Sequence, residues 1–269
     1  MLADVTVPHS WFIHFYTLSI AACLFWLGQI GAQQPGHIFL LAYTKEPANP
    51  VPAVQVIVAW LALLLLSIRR YLECQEAEPS KSRMFFGHWI MGLLFYAVTS
   101  VAVWIEGDRK LLLHNLGDVV ADKDADTQTK LIRVLKQLLA ILFADLPTRD
   151  RILVLTGLAL FFLAASTQSN FHGYLKYMKQ LTKGEYTLPQ HPLFDYTVTP
   201  HYAAECVEYL GLAMIVAPVG QVFNTTMLCC LVFVVVNLGV TADGTREWYK
   251  KKFGEEEIGG KARMIPFIW

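Results

Sequence analysis

Three ionisable side chains in the segment TPHYAAECVEYLG (Thr199–Gly211) share one stripe: His201, Glu205 and Glu208. Their spacings of four and three residues put all three on the same face of a helix. The segment leads into an apolar run. Ionisable groups at membrane depth are costly, so they face a protein interior or a watery cavity and mark function. A second reading stays open, in which Glu205 and Glu208 stand at the helix end and reach headgroup water.

A second group lies in QSNFHGYLKYMKQLTKGEYTLP (Gln168–Pro189), where Gln168, His172 and Lys179 recur at helical intervals of four and seven. That donor-rich face suits a dinucleotide, because cations hold phosphates while carboxylates or amides take ribose hydroxyls. On charge alone it better suits a positive juxtamembrane segment attracted to anionic lipid. A third group is the tail REWYKKKFGEEEIGGKARMIPFIW (Arg246–Trp269), whose aromatic ending is unlike that of a purely surface-bound tail. The fourth is VPHSWFIHFYTLS (Val7–Ser19), with His14 and Tyr16 among aromatic neighbours. A single histidine there serves either as a packed structural residue or as a donor to substrate.

Several chemistries are excluded. There is no GxGxxG after a strand, no P-loop, no GxSxG and no HExxH, so a bound nucleotide implies a fold other than Rossmann. Histidines and glutamates form no metal-ligand pattern, and Cys23, Cys74, Cys206, Cys229 and Cys230 show neither metal nor redox spacing. The 22 basic and 22 acidic residues balance, which leaves no nucleic-acid footprint.

The elements that must position these groups are membrane helices. Of 269 residues 55% are hydrophobic, and they come in long blocks. Near-spanning stretches are Trp11–Ile30, Val51–Ile68, Met84–Ile105, Arg151–Ser166, Ala203–Val219 and Thr225–Val240, against the roughly 20 apolar residues that a span needs. The first has no basic n-region or small-residue cleavage site and is not read as a removable signal peptide. The expectation is an all-α polytopic bundle of about six spans forming a single domain over 1–269. Arg69, Arg70, Lys81 and Arg83 after the second span, Lys176, Lys179 and Lys183 after the fourth, and the basic tail all fall on one side, which is then cytosolic. The long mixed-charge segment Glu106–Asp150 includes an apolar helical pattern at Leu131–Phe143, expected to lie at the interface or dip in. Gly31–Pro52 reads as a turn-rich loop, Thr167–Pro200 as a polar loop, and the Asn224–Thr226 sequon as an unused site between two closely spaced spans.

These clusters together resemble the steroid 5-alpha-reductase family, and within it the polyprenol (polyprenal) reductase branch. The residues that carry the resemblance are VPHSWFIHFY near the start, LSIRRYLEC at Leu66–Cys74, LFDYTVTPHYAAECVEYLG at Leu193–Gly211, and REWYKKKF with KARMIPFIW at the end. The resemblance runs in order over most of the chain and is strongest in the last hundred residues. It implies a seven-helix, multi-pass endoplasmic-reticulum enzyme that binds NADPH between helices and cytosolic loops, with its catalytic and NADPH-binding half at about 150–269 and the C-terminal tail cytosolic. By matching positions it implies that Gln168, His172, Lys179, Tyr186, His201, Glu205 and Tyr249 contact the cofactor. It also implies that the chain begins where the family's second helix would. The Glu–Tyr pair of the steroid enzymes is replaced here by His14, Phe15, Tyr16 and Ser67, and an arginine expected near Thr187 is absent.

The implied reaction saturates the alpha-isoprene double bond of a long polyisoprenoid on the route to dolichol for protein N-glycosylation. A conjugated aldehyde accepts hydride far better than an isolated allylic alkene, because charge moves onto a carbonyl oxygen that donors stabilise. Polyprenal is therefore favoured over polyprenol. His14 or Tyr16 is the expected donor, with Arg70 supporting that end of the pocket. The expected partners are the polyisoprenoid and membrane lipid, with no metal and no nucleic acid. Three alternatives stay open: reduction of 3-oxo-4-ene steroids, a membrane methyltransferase, and a non-catalytic lipid-binding relative.

Overall fold

The computed structural model describes residues 5–31, 34–44, 47–76, 82–108, 146–182 and 185–269. Leu131–Phe143, most of the mixed-charge segment around it, and Lys81 and Lys183 lie outside the described residues. The chain is a polytopic membrane helix bundle. Among the described residues four helices are long and apolar enough to cross a membrane: His9–Ile30, Ala53–Gln75, Thr148–Leu181 and Thr225–Phe253. Phe86–Ala102 is apolar but shorter, and Pro200–Ile215 has 16 residues.

The chain divides into two compact units, one of Met1–Thr156 with Leu212–Met227, the other of Gly157–Gly211 with Leu228–Trp269.

In the first unit, strand β1 (Thr6–Pro8) precedes a 3-10 turn and helix α1 (Ile13–Gly31). Helices α2 (Pro35–Tyr43) and α3 (Ala53–Gln75), strand β2 (Arg83–Phe85) and helix α4 (Phe86–Ala102) follow. β1 and β2 pair antiparallel with Val7 opposite Met84. This tie joins the entries of α1 and α4, and its two central side chains are buried with Phe15, Tyr16 and Tyr96. Three-residue strands carry no readable alternation, so the ribbon had no sequence signal. The loop expected over Gly31–Pro52 contains α2 instead: Pro35 sits in its first turn, where a missing N–H costs nothing, and an apolar run follows. The turn residues act at the flanks, with Pro52 preceding α3.

Helices outlast the apolar stretches that announce them. α3 continues to Gln75, so Arg69 and Arg70 ride on it rather than following it. Helix α5 (Thr148–Leu181) has 34 residues. At about 1.5 Å per residue it runs roughly 50 Å, well beyond a hydrocarbon core of about 30 Å. The expected polar loop from Thr167 is therefore helical through Leu181, which carries Gln168, His172 and Lys179 on one rod.

The buried amide of Gln55 donates to the Ile215 and Ala217 carbonyls at 2.8 and 3.1 Å, closing the end of one helix. Asn224 is 1% exposed. Its oxygen accepts from the Met227 N–H at 2.9 Å and its nitrogen donates to Glu106 Oε2 at 2.8 Å. A buried nitrogen so engaged is committed to the fold.

The second unit holds most of α5, helix α6 (Pro192–Tyr196), the first turns of helix α7 (Pro200–Ile215), most of helix α8 (Thr225–Phe253) and helix α9 (Glu255–Ile258). α5 and α7 meet closely at Gly211, where an added Cβ would stand 2.7 Å from the Gly157 carbonyl oxygen and 3.0 Å from the Phe161 nitrogen.

Candidate functional site

Gln168 is fully buried on α5, and its Nε2 donates to Glu205 Oε2 on α7 at 2.8 Å. One turn along each helix in opposite directions, the His172 and His201 rings meet edge to face at 5.4 Å. Four predicted residues thus gather as two adjacent contacts between the same two helices. The geometry follows from spacing: residues four apart on each helix stack on one face, and the close approach at Gly211 brings the faces together. Glu208, one turn beyond Glu205, is fully buried. Lys179, half-buried, continues the α5 face seven residues after His172. The arrangement offers a carboxylate oriented by an amide, two imidazoles and a cation, which can accept sugar hydroxyls and donate to phosphates.

Tyr186, in the segment after α5, and Tyr249, on α8, belong to a second group. The Tyr186 ring meets Trp248 at 5.1 Å, and Trp248 meets Tyr249 at 5.4 Å. Lys252 Nζ stands 5.3 Å from the centroids of both the Tyr186 and Trp248 rings, within cation–π range. Trp248 and Lys252 were not among the expected site residues, although their place in REWYKKKF beside Tyr249 marked them.

The tail is folded. Thr197 bridges Ala262, and the Val198 N–H donates to the Ala262 carbonyl at 3.0 Å. Thr199 Oγ1 donates to the Arg263 carbonyl at 2.7 Å. Arg246 donates to the carbonyls of Lys261 and Gly259 at 2.9 and 2.7 Å, and Arg263 pairs with Asp243. The chain entering α7, two residues before His201, is therefore held by the tail.

In the first unit Tyr16 is 3% exposed. Its phenol oxygen accepts from Arg70 Nε at 3.1 Å, and the guanidinium stands 5.1 Å from its ring centroid. Arg70 also pairs with Glu73, which takes Arg69 at 2.9 Å on its other oxygen. Glu73 was not among the expected residues, though its spacing of three and four after the two arginines is an ion-pair signature. A turn along both helices, the buried Ser19 and Ser67 hydroxyls bond at 2.7 Å. A phenol that accepts from a guanidinium becomes a better donor through its own O–H.

His14 is not brought to this pair. Residues two apart on a helix point to nearly opposite sides. The exposed His14 ring packs beside Trp11 and Trp89 at 5.3 and 6.0 Å. Elsewhere in the unit, α1, α2 and α4 border an open apolar groove of about 920 Å³, whose lining includes Leu18, Ala22, Phe25, Phe39 and Val98.

The 3-oxo-5-alpha-steroid 4-dehydrogenase family model matches residues 137–269. The C-terminal part of the chain is thus similar to the steroid 5-alpha-reductase family. Steroid 5-alpha-reductase DET2 of Solanum lycopersicum is 31% identical over 86 residues, covering 32% of this chain and 31% of that protein. Longer matches are to polyprenal reductases. That of Xenopus tropicalis is 25% identical over 281 residues, covering 98% of this chain and 80% of that one. That of Saccharomyces cerevisiae is 25% identical over 265 residues, covering 98% and 75%. These names are those of reductases acting on a carbon–carbon double bond.

Proposed function

We propose that this chain is an NADPH-dependent polyprenal reductase of the endoplasmic reticulum membrane. It would saturate the alpha-isoprene double bond on the route to dolichol for protein N-glycosylation, with its tail cytosolic. Similarity along 98% of the chain to polyprenal reductases carries the reading. The apolar groove favours it over a steroid reductase, because a long hydrocarbon chain needs an extended apolar surface and asks for few polar partners.

The residues present suit a phosphorylated dinucleotide. Glu205, held by Gln168, would accept a ribose hydroxyl, and His172, His201 and Lys179 would donate to phosphate. Tyr186, Trp248 and Tyr249 would offer aromatic faces. NADPH supplies the hydride when bound. Reduction places hydride on the β carbon and a proton on the α carbon of the conjugated aldehyde. Charge that collects meanwhile on the carbonyl oxygen is stabilised by a donor already in place. Tyr16, polarised and fixed by Arg70, takes that role in preference to His14, because it is buried and its orientation is held.

The test is NADPH oxidation by the purified protein in lipid, offered polyprenal, polyprenol and a 4-ene-3-oxo steroid in parallel. The expected product is the alpha-saturated aldehyde from polyprenal. Turnover of the steroid alone would replace this reading with the steroid one, and lipid binding without NADPH binding would favour a non-catalytic relative.

A further inference from the structure

The last five residues present an arrangement that no part of the proposed reaction uses. Phe267 is 89% exposed and Ile268 80% exposed. Phe267 is also the one non-glycine residue at positive φ among the described residues, at 64°. A bulky side chain in that region of backbone space is disfavoured. The turn is nonetheless closed on itself, since the N–H groups of Met264 and Ile265 both donate to a main-chain oxygen of Trp269 at 3.0 Å. The Phe267 ring meets the exposed Tyr196 ring at 5.5 Å. Two large apolar side chains still stand mostly outside the fold on a strained turn, whereas burial is what normally offsets such strain.

Its level in the bilayer can be read from α8. The indole of Trp269 lies against Gly239, where an added Cβ would stand 2.7 Å from the ring. Gly239 sits within the apolar part of α8, between Val236 and Val240, which are 59% and 71% exposed as lipid-facing residues are. It is the fifteenth residue of the helix from Thr225. At 1.5 Å per residue that places it about 21 Å along a core of roughly 30 Å, on the membrane side of the first charged residue, Asp243. Arg263, which pairs with Asp243, stands 5.5 Å from the Trp269 ring centroid. The tail therefore turns back from the charged level toward the lipid level.

We infer that Ile265–Trp269 is a lipid-interface anchor: Phe267 and Ile268 insert into the acyl region beside the exposed face of α8, while Arg263 and Lys261 remain at headgroup level. Insertion removes two large apolar side chains from water and so supplies the burial that the folded protein alone does not. It also ties the tail strand, and with it the entry to α7, to the membrane. This inference stands independently of which substrate is reduced.

The experiment places a photoreactive group at the tip, Phe267→p-benzoylphenylalanine, in the full chain reconstituted into phosphatidylcholine vesicles, followed by irradiation and mass spectrometry. Phospholipid adducts at residue 267 are expected, and Phe267→Ser with Ile268→Ser should raise tryptic cleavage after Arg263 at least several-fold in vesicles. Adducts to a second copy of the chain, or a probe recovered without lipid attached, would overturn the inference. So would unchanged cleavage of the double variant.

Discussion

Replacing Glu205 by Gln preserves the size of the side chain and removes its charge, which isolates what the carboxylate contributes. Glu205 Oε2 accepts from Gln168 Nε2 at 2.8 Å, and Gln168 is fully buried. A hydrogen bond to a charged group contributes about 1.5–3 kcal/mol. If the carboxylate also takes a ribose hydroxyl, losing that charge-assisted bond raises the NADPH dissociation constant by roughly 10- to 140-fold, at about 1.4 kcal/mol per factor of ten. Gln168→Leu removes the orienting donor but leaves the charge, so its own effect is smaller. Because both substitutions act through one contact, they are non-additive by about 1 kcal/mol, within the usual range for touching residues. The assay is a fluorescence titration of NADPH against wild type, both single variants and the double variant in lipid nanodiscs. Thermal unfolding is followed alongside to separate binding from folding. Glu205→Gln binding within about twofold of wild type would refute the assignment of Glu205. Strict additivity would refute the claim that Gln168 works through it.

Tyr16→Phe keeps the ring beneath Arg70 but removes the phenol, so kcat on polyprenal should fall by roughly 100-fold with NADPH affinity unchanged. His14→Ala should fall far less, and equal losses would contradict the assignment. Gly211→Ala forces α5 and α7 apart within the second unit and should cost about 1–3 kcal/mol in thermal unfolding. Gly244→Ala, with open space around its Cβ, should be neutral or stabilising. Ser67→Ala alone leaves the buried Ser19 hydroxyl without that partner and should cost about 1–2 kcal/mol in thermal unfolding. Ser19→Ala with Ser67→Ala should cost less than the sum of the singles, since neither hydroxyl is then stranded.

The spans were legible because apolar runs approaching about 20 residues are longer than a soluble core helix tends to be, yet hydropathy marked their ends poorly. It falls at Ser166, while α5 continues to Leu181 because Gln, His, Tyr, Lys and Met sustain a helix as readily as apolar residues do. The site was legible as faces but not as contacts. Four-residue spacing put His201 with Glu205 and Gln168 with His172, whereas the meeting of Gln168 with Glu205 joins positions 37 apart, and no local pattern encodes it. His14 and Tyr16 were grouped by proximity along the chain, although the helical period separates them.

The tail shows a deeper limit. IPFIW reads as ordered because it is aromatic and apolar, and it is ordered, but that composition does not say against what. Trp269 closes on Gly239 of α8, while its two neighbours stand 89% and 80% exposed. In water the hydrophobic effect would assign all three to a core. In a bilayer a core residue and a lipid contact have the same transfer free energy, and hydropathy cannot tell them apart. Only the level at which a side chain leaves the fold distinguishes them, and here that level is set by a glycine that leaves room for an indole four residues before the first charge on α8.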